Sequence, residues 1–139
     1  MKGAEPQLIA LPKIADPRGS LSFLQGGEAP GELPFEIARA YWVYDVPGGE
    51  RHSGRALRNT TEAIIAMSGC FDVEVDNGQG FSRRYTLNRS YQALLLPPMT
   101  WRRLDNFSTN SVALTVSSRP YDPAEYIRDF DEFLKENTK

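Results

Sequence analysis

Four stretches of this chain hold side chains that could grip an anion or move a proton. In IARAYWVYDV (37–46), Arg39 and Tyr41 stand two residues apart, and the period of a strand puts both on one face. A charged fork beside a phenol suits a phosphate or a sugar hydroxyl, although the same spacing also serves a face turned to water. Arg18 lies in the turn Asp16-Pro17-Arg18-Gly19, as a solvated turn charge or as an anion-binding arginine. In PPMTWRRLDN (97–106), Arg102 and Arg103 fall on opposite faces beside Trp101. Indole and guanidinium together can stack on a base or sugar and clamp phosphate; alternatively, surface charges flank a core tryptophan. The fourth stretch, GERHSGRALRNTTEAIIAMSG (49–69), holds His52, Arg55, Leu57 and Glu62.

Proton transfer near neutrality is best served by histidine, and His52 is the only one. It stands on the opposite strand parity from Arg55, so a satisfied turn or surface histidine is its other reading. Arginine stays protonated and cannot be a base, while leucine transfers nothing. The remaining carriers are Tyr41, Glu62 and Asp105.

The elements that must position these groups are short strands. QLIALPKI (7–14) contains a proline and reads as an edge strand or an arm, with residues 1–15 as the arm's extent. SLSFLQ, IARAYWVYDV, residues 53–57, 62–67, CFDVEVD, FSRRYTL, SYQALLLPP and TNSVALTVSS follow, and Asn77-Gly78 marks a hairpin. Only the tail has a helical period. Over 122–136, Asp122 stands as N-cap, Pro123 as the first helical residue and Glu125 three after the cap. The expected fold is mainly β, an antiparallel barrel or jelly roll, with a C-terminal helix packed on it.

At 139 residues the chain fits one domain, 1–139, able to hold its own core. A net charge of −2 argues against nucleic acid as a general partner, and no stretch approaches the ~18 apolar residues of a membrane span. With no signal-peptide pattern and one cysteine, Cys70, read as a small buried hydrophobe, a cytoplasmic protein is expected. The Asn-x-Ser/Thr matches at Asn59, Asn88 and Asn106 would matter only in a secreted chain.

The interval Gly49, x5, Arg55, x, Leu57, x4, Glu62, x6, Gly69 resembles the first cupin motif, with Arg55 and Leu57 where its two histidines stand. Asp16-x-Arg18-Gly19-x-Leu21, the strand Arg39 to Asp45, Pro98 to Trp101, and the tail Tyr121 to Asp131 resemble the thymidine-diphosphate-sugar 3,4-ketoisomerases of the cupin superfamily. That resemblance implies isomerisation of a nucleotide-linked 4-keto-6-deoxyhexose without metal or other cofactor. It also implies a homodimer that exchanges an amino-terminal strand. Catalytic candidates are Glu62, Tyr41 and His52, and Glu62 leads because the superfamily glutamate faces the cavity. Pairing of a buried Glu62 with Arg55 is the competing role. Arg18, Arg39, Arg55, Leu57, Trp101, Arg102 and Asp105 are the expected substrate-binding set. With only Glu62 left of a three-histidine, one-carboxylate set, no metal is expected. The alternative is a cupin that keeps the nucleotide-sugar pocket but has lost turnover.

Overall fold

The structure is a computed structural model that describes residues 3–50 and 52–138. Its strands are β1 (Gln7–Ala10), β2 (Ile14–Asp16), β3 (Gly19–Leu21), β4 (Arg39–Val43), β5 (Ala56–Leu57) and β6 (Glu62–Ser68). They continue as β7 (Phe71–Asp76), β8 (Ser82–Leu87), β9 (Gln92–Leu96), β10 (Trp101–Asp105), β11 (Val112–Ser117) and β12 (Tyr126–Ile127), before the helix α1 (Phe130–Asn137). A five-stranded sheet runs β1-β9-β6-β11-β4 and a three-stranded sheet β10-β7-β8, all neighbours antiparallel. The expected mainly-β antiparallel fold with one short C-terminal helix is what forms.

Alternation decides what each face does. Ile64 and Ala66 of β6, Phe71, Val73 and Val75 of β7, and Leu94 and Leu96 of β9 meet Leu87, Leu104 and Ala113 between the two sheets. Each large side chain buried there contributes roughly 1.5–3 kcal/mol. The other face of β6, Ala63 and Ile65, is also covered, by Leu11, Leu33 and neighbours. A strand buried on both faces explains why AIIAM reads as an unbroken apolar run.

Three local outcomes depart from the sequence pattern. The hairpin at Asn77-Gly78 closes through a five-residue loop, Asp76 pairing with Ser82, because the Asn77 side chain accepts from the backbone N–H groups of Gln79 and Phe81. The helix expected over 122–136 is broken. Asp122 caps only a 3-10 turn (Pro123–Glu125), β12 then pairs with β5, and α1 starts at Phe130 under its own cap, Asp129. Glu125 supplies the reason. Its carboxylate turns away from the turn's start and accepts from the Asn59 backbone and side chain and from Thr60, so the chain extends at Tyr126 instead of coiling. Finally, the expected arm, 1–15, falls into two pieces: β1 pairs with β9 of its own chain, while β2 forms a hairpin with β3 that is bonded to no other strand among the described residues. Residues 1 and 2 of that arm lie outside the described residues.

Candidate functional site

Glu62 opens β6 on the inward parity, and the sheet register brings partners to it. Ser117 of β11 pairs with Glu62 on one side and with Arg39 of β4 on the other, so three polar side chains form a row across the sheet. Tyr41 follows two residues along β4 on the same face. From the facing sheet comes Arg102, inward on β10, and a β-bridge to Arg102 fixes Arg55 just before β5.

The Glu62 carboxylate, 0% exposed, collects donors from all sides. Arg102 Nη1 donates to Oε1 at 2.7 Å, Ser117 Oγ donates to Oε2, and the Tyr41 hydroxyl donates at 3.1 Å. Arg39 Nη2 stands 3.4 Å away and also donates to the Tyr126 hydroxyl at 2.9 Å. Arg55 Nη2 donates to Tyr41 Oη at 2.8 Å. The expected pairing of Glu62 with Arg55 is therefore replaced by a direct pair with Arg102, and Arg55 reaches the carboxylate only through the phenol. Arg102 comes closer because β10 carries it into the barrel with no exposed surface.

Burial pushes the Glu62 carboxyl up, but the Arg102 charge and the Ser117 hydrogen bond outweigh it and hold the group below its ordinary value. Burial and the nearby Glu62 charge raise Tyr41 against the opposing pull of Arg55. Burial lowers Arg102, with Glu62 working against that shift. At neutral pH the cluster is a carboxylate, a neutral phenol and guanidinium cations.

Above it opens a cavity of about 340 Å³ lined by Arg39, Tyr41, Arg55, Tyr121, Tyr126 and Arg128. Glu62 and Arg102 lie behind Tyr41 and do not line it. Arginine planes sit against the tyrosine rings: Arg39 is 5.0 Å from the Tyr41 centroid and 5.5 Å from that of Tyr121, and Arg128 is 4.9 Å from that of Tyr126.

The other expected site residues lie elsewhere. Trp101 points away from Arg102, packs on Phe130 and Phe133 of α1, and covers Gly54 so closely that a Cβ there would overlap the indole. Its groove, about 660 Å³, is larger than the arginine-tyrosine cavity, but two of its three arginines are ion-paired, Arg103 with Glu74 and Arg84 with Asp72, Glu74 and Asp105, while Arg83 lies over the Tyr85 ring. Asp105 thus belongs to the outer face of the three-stranded sheet. His52 stacks on Phe107, and its backbone N–H donates to Leu104. Leu57 is buried opposite Tyr126. Arg18 is at the tip of the β2–β3 hairpin, 91% exposed and held by Asp16. Of the candidate set, the structure gathers Arg39, Tyr41, Arg55, Glu62 and Arg102.

Sequence reasoning missed Ser117, Tyr121, Tyr126 and Arg128 as site residues. A signal existed for two of them: Tyr126-Ile127-Arg128 alternates with period two, Ile127 buried and its neighbours turned to the cavity. The helical reading of the tail hid it. Ser117 carries no pattern of its own and is found only through strand register.

Comparison with known proteins agrees with this geometry. Residues 4–138 match the family model described as FdtA, WxcM-like, C-terminal. The chain is 30% identical over 131 residues to a TDP-4-oxo-6-deoxy-alpha-D-glucose-3,4-oxoisomerase of Aneurinibacillus thermoaerophilus, covering 94% of this chain and 91% of the relative. Among solved structures, the WlaRB TDP-quinovose 3,4-ketoisomerase of Campylobacter jejuni superposes with a TM-score of 0.86 at 34% identity, covering 94% of this chain and 97% of that one. A mutant of the 3,4-ketoisomerase QdtA of Thermoanaerobacterium thermosaccharolyticum, in complex with TDP-4-keto-6-deoxyglucose, superposes with a TM-score of 0.88 at 25% identity, covering 96% and 94%. A match over nearly the whole length, in sequence and in the cupin-type fold, means that the chain belongs to the FdtA, WxcM-like family.

Proposed function

We propose that this chain is a single-domain cupin that binds a nucleotide-linked keto-hexose, with thymidine diphosphate as the nucleotide, and interconverts its 3- and 4-keto forms. The observation that carries the reading is the arginine-tyrosine cavity built over a buried carboxylate, in a chain similar over its length to TDP-sugar ketoisomerases. Isomerisation removes the proton on C3, adds one to the C4 ketone oxygen to give an enediol, then takes the O3 proton and returns one to C4. Tyr41 is the proton donor that faces the cavity, a neutral phenol able to protonate the ketone oxygen. Glu62, behind it, first takes the Tyr41 proton, so that the phenolate removes the C3 proton and passes it to the ketone oxygen; the phenolate then carries the O3 proton to C4, and Glu62 returns its proton to Tyr41. Arg55 stabilises the enediolate oxygen as charge develops. His52, against Phe107, has no part. No step is assigned to a metal: Glu62 is ringed by guanidinium and hydroxyl donors, a setting that repels a cation.

One observation favours a second reading, a nucleotide-sugar-binding protein without turnover. The cavity wall is arginine and tyrosine, with no group that titrates near neutrality. Proton NMR with thymidine-diphosphate-4-keto-6-deoxyglucose separates the two. The expected result is growth of the 3-keto isomer, abolished in Y41F. Binding by calorimetry without isomerisation selects the second reading, and absence of binding rejects both.

The reading includes a cytoplasmic homodimer in which the amino-terminal hairpin crosses to a second copy. It is supported by a hairpin that, among the described residues, pairs with no strand outside itself and exposes Ile14 (61%) and Leu21 (56%), and by a single half-buried cysteine. On such a hairpin Arg18, exposed and paired with the exposed turn residue Asp16, would have to exchange that pair to reach a partner's cavity.

A further inference from the structure

The 3- and 4-keto forms differ in more than the place of the ketone. Making the 3-keto form creates a new stereocentre at C4, whose hydroxyl ends axial or equatorial according to the face on which the proton arrives. Likeness to relatives leaves this open: two solved neighbours from Campylobacter jejuni are named for quinovose and for fucose, 6-deoxyhexoses that differ at C4. The proton carriers of the cavity decide it. Arginines keep their protons, so among the lining residues only the phenols of Tyr41, Tyr121 and Tyr126 can give and take one. A phenol does both in one turnover only if a base relieves it of its own proton. Tyr41 has that base: its hydroxyl lies 3.1 and 3.2 Å from the two Glu62 oxygens. Arg55 Nη2 donates to the same hydroxyl at 2.8 Å, so a phenolate formed there meets a cation. Tyr126 has the cation without the base, accepting from Arg39 Nη2 at 2.9 Å. Tyr121 meets Arg39 and Tyr126 through its ring. Glu125, the acid on their segment, turns to Asn59 and Thr60. Among the described residues, Tyr41 is thus the one phenol of the three that is hydrogen-bonded to a carboxylate.

We infer that one residue, Tyr41, both removes the C3 hydrogen and fills C4, and that the product therefore carries an axial C4 hydroxyl. This rests on the isomerase reading and fixes its stereochemistry. The electron pair of the C3–H bond closes the C3=C4 bond of a planar enediol as the C4 ketone oxygen takes a proton. Loss of the O3 proton then makes the C3 ketone, and the C3=C4 pair binds a proton at C4. C3 is oxidised and C4 reduced within one molecule, so no outside oxidant enters. A single carrier stays on one side of the enediol plane, and the hydrogen leaves and arrives on the same face. In the chair of a 4-keto-6-deoxyglucose the C3 hydrogen is axial, on the face that also holds H5. A hydrogen delivered to C4 from that face lies equatorial and turns the hydroxyl axial. A second carrier on the opposite face would give the equatorial hydroxyl instead.

The test is the configuration of the first product formed from thymidine-diphosphate-4-keto-6-deoxyglucose, read by proton NMR in water before slow enolisation can scramble C4. The expected product is a single isomer with a small H4–H5 coupling, equatorial against axial. Y121F and Y126F should give that same isomer, however much their rates change. A large diaxial H4–H5 coupling overturns the single-carrier inference while leaving isomerisation itself standing. So does a mixture of both isomers from the first time points, or a configuration that changes in Y121F or Y126F. No isomer from the wild type overturns the isomerase reading and this inference with it. The wild-type coupling decides the matter even if neither variant folds.

Discussion

At the scale of the residue, the Glu62–Arg102 pair is the point where burial and charge are most nearly in balance. Removing one partner leaves the other as an uncompensated buried charge, so E62A is expected to lose about 3–5 kcal/mol in urea unfolding. Replacing both, as E62L with R102M, should cost markedly less, because no charge then needs a partner. The same pair sets an acid limit. The Glu62 pKa in the folded chain lies below its unfolded value of about 4.3, so its stabilisation is complete above that value and is lost as pH falls through the folded pKa. Glu125, also lowered because hydrogen bonds from Thr60 and Asn59 overcome its burial, adds to the same slope. Circular dichroism melts from pH 7 to pH 3 should show falling midpoints below about pH 4.5, with a shallower fall in E62Q and a lower starting point.

At the scale of the element, the segment from Tyr121 to Ile127 matters most, because it turns a sequence with helical spacing into a wall of the cavity. The Glu125 side chain holds it against Asn59 and Thr60, and Arg58 ties it further, donating to Ala124 O and to Glu136 of α1. E125A should cost about 1–3 kcal/mol, the range for charged hydrogen bonds lost in a buried setting. It should also weaken ligand binding, since Tyr126 rides on this segment; calorimetry beside thermal melts measures both. This element also marks where the sequence stopped being legible. Strands announced themselves wherever one face is apolar and the other polar, and Arg39 with Tyr41 could be placed on one face from the period alone. Glu62 could be placed in the barrel only through the resemblance of the Gly49–Gly69 stretch to the first cupin motif. Its pairing with Arg102 instead of Arg55 could not, because both arginines point inward and only the β-bridge between their strands settles which is nearer. The tail failed for a related reason: Glu125 answers to Asn59 and Thr60, residues 65 or 66 positions away, which no local pattern reports.

At the scale of the whole molecule, apolar surface outside the core is where the proposed dimer can be tested. Ile14, Leu21, Phe23 and Met67 are exposed, and a groove of about 660 Å³ runs between the hairpin side and the outer face of β6 and β11. Light scattering after size exclusion should give twice the chain mass, and L21D should shift it to that of a monomer. A monomeric wild type would remove the exchanged-hairpin reading. The cavity has one more property, which concerns how the chain reaches this state. Its contacts join residues far apart in sequence: Arg39 with Glu62 across 23 positions, Glu62 with Ser117 across 55, and Arg39 with Tyr126 across 87. Loop closure must precede every one of them, so folding is expected on the slow side of the range for small domains, milliseconds to seconds, with the cavity among the last features to form. Until it closes, four arginines and a glutamate have no fixed partners. An anion that fits the finished cavity binds only the folded chain and so should slow unfolding more than it speeds folding.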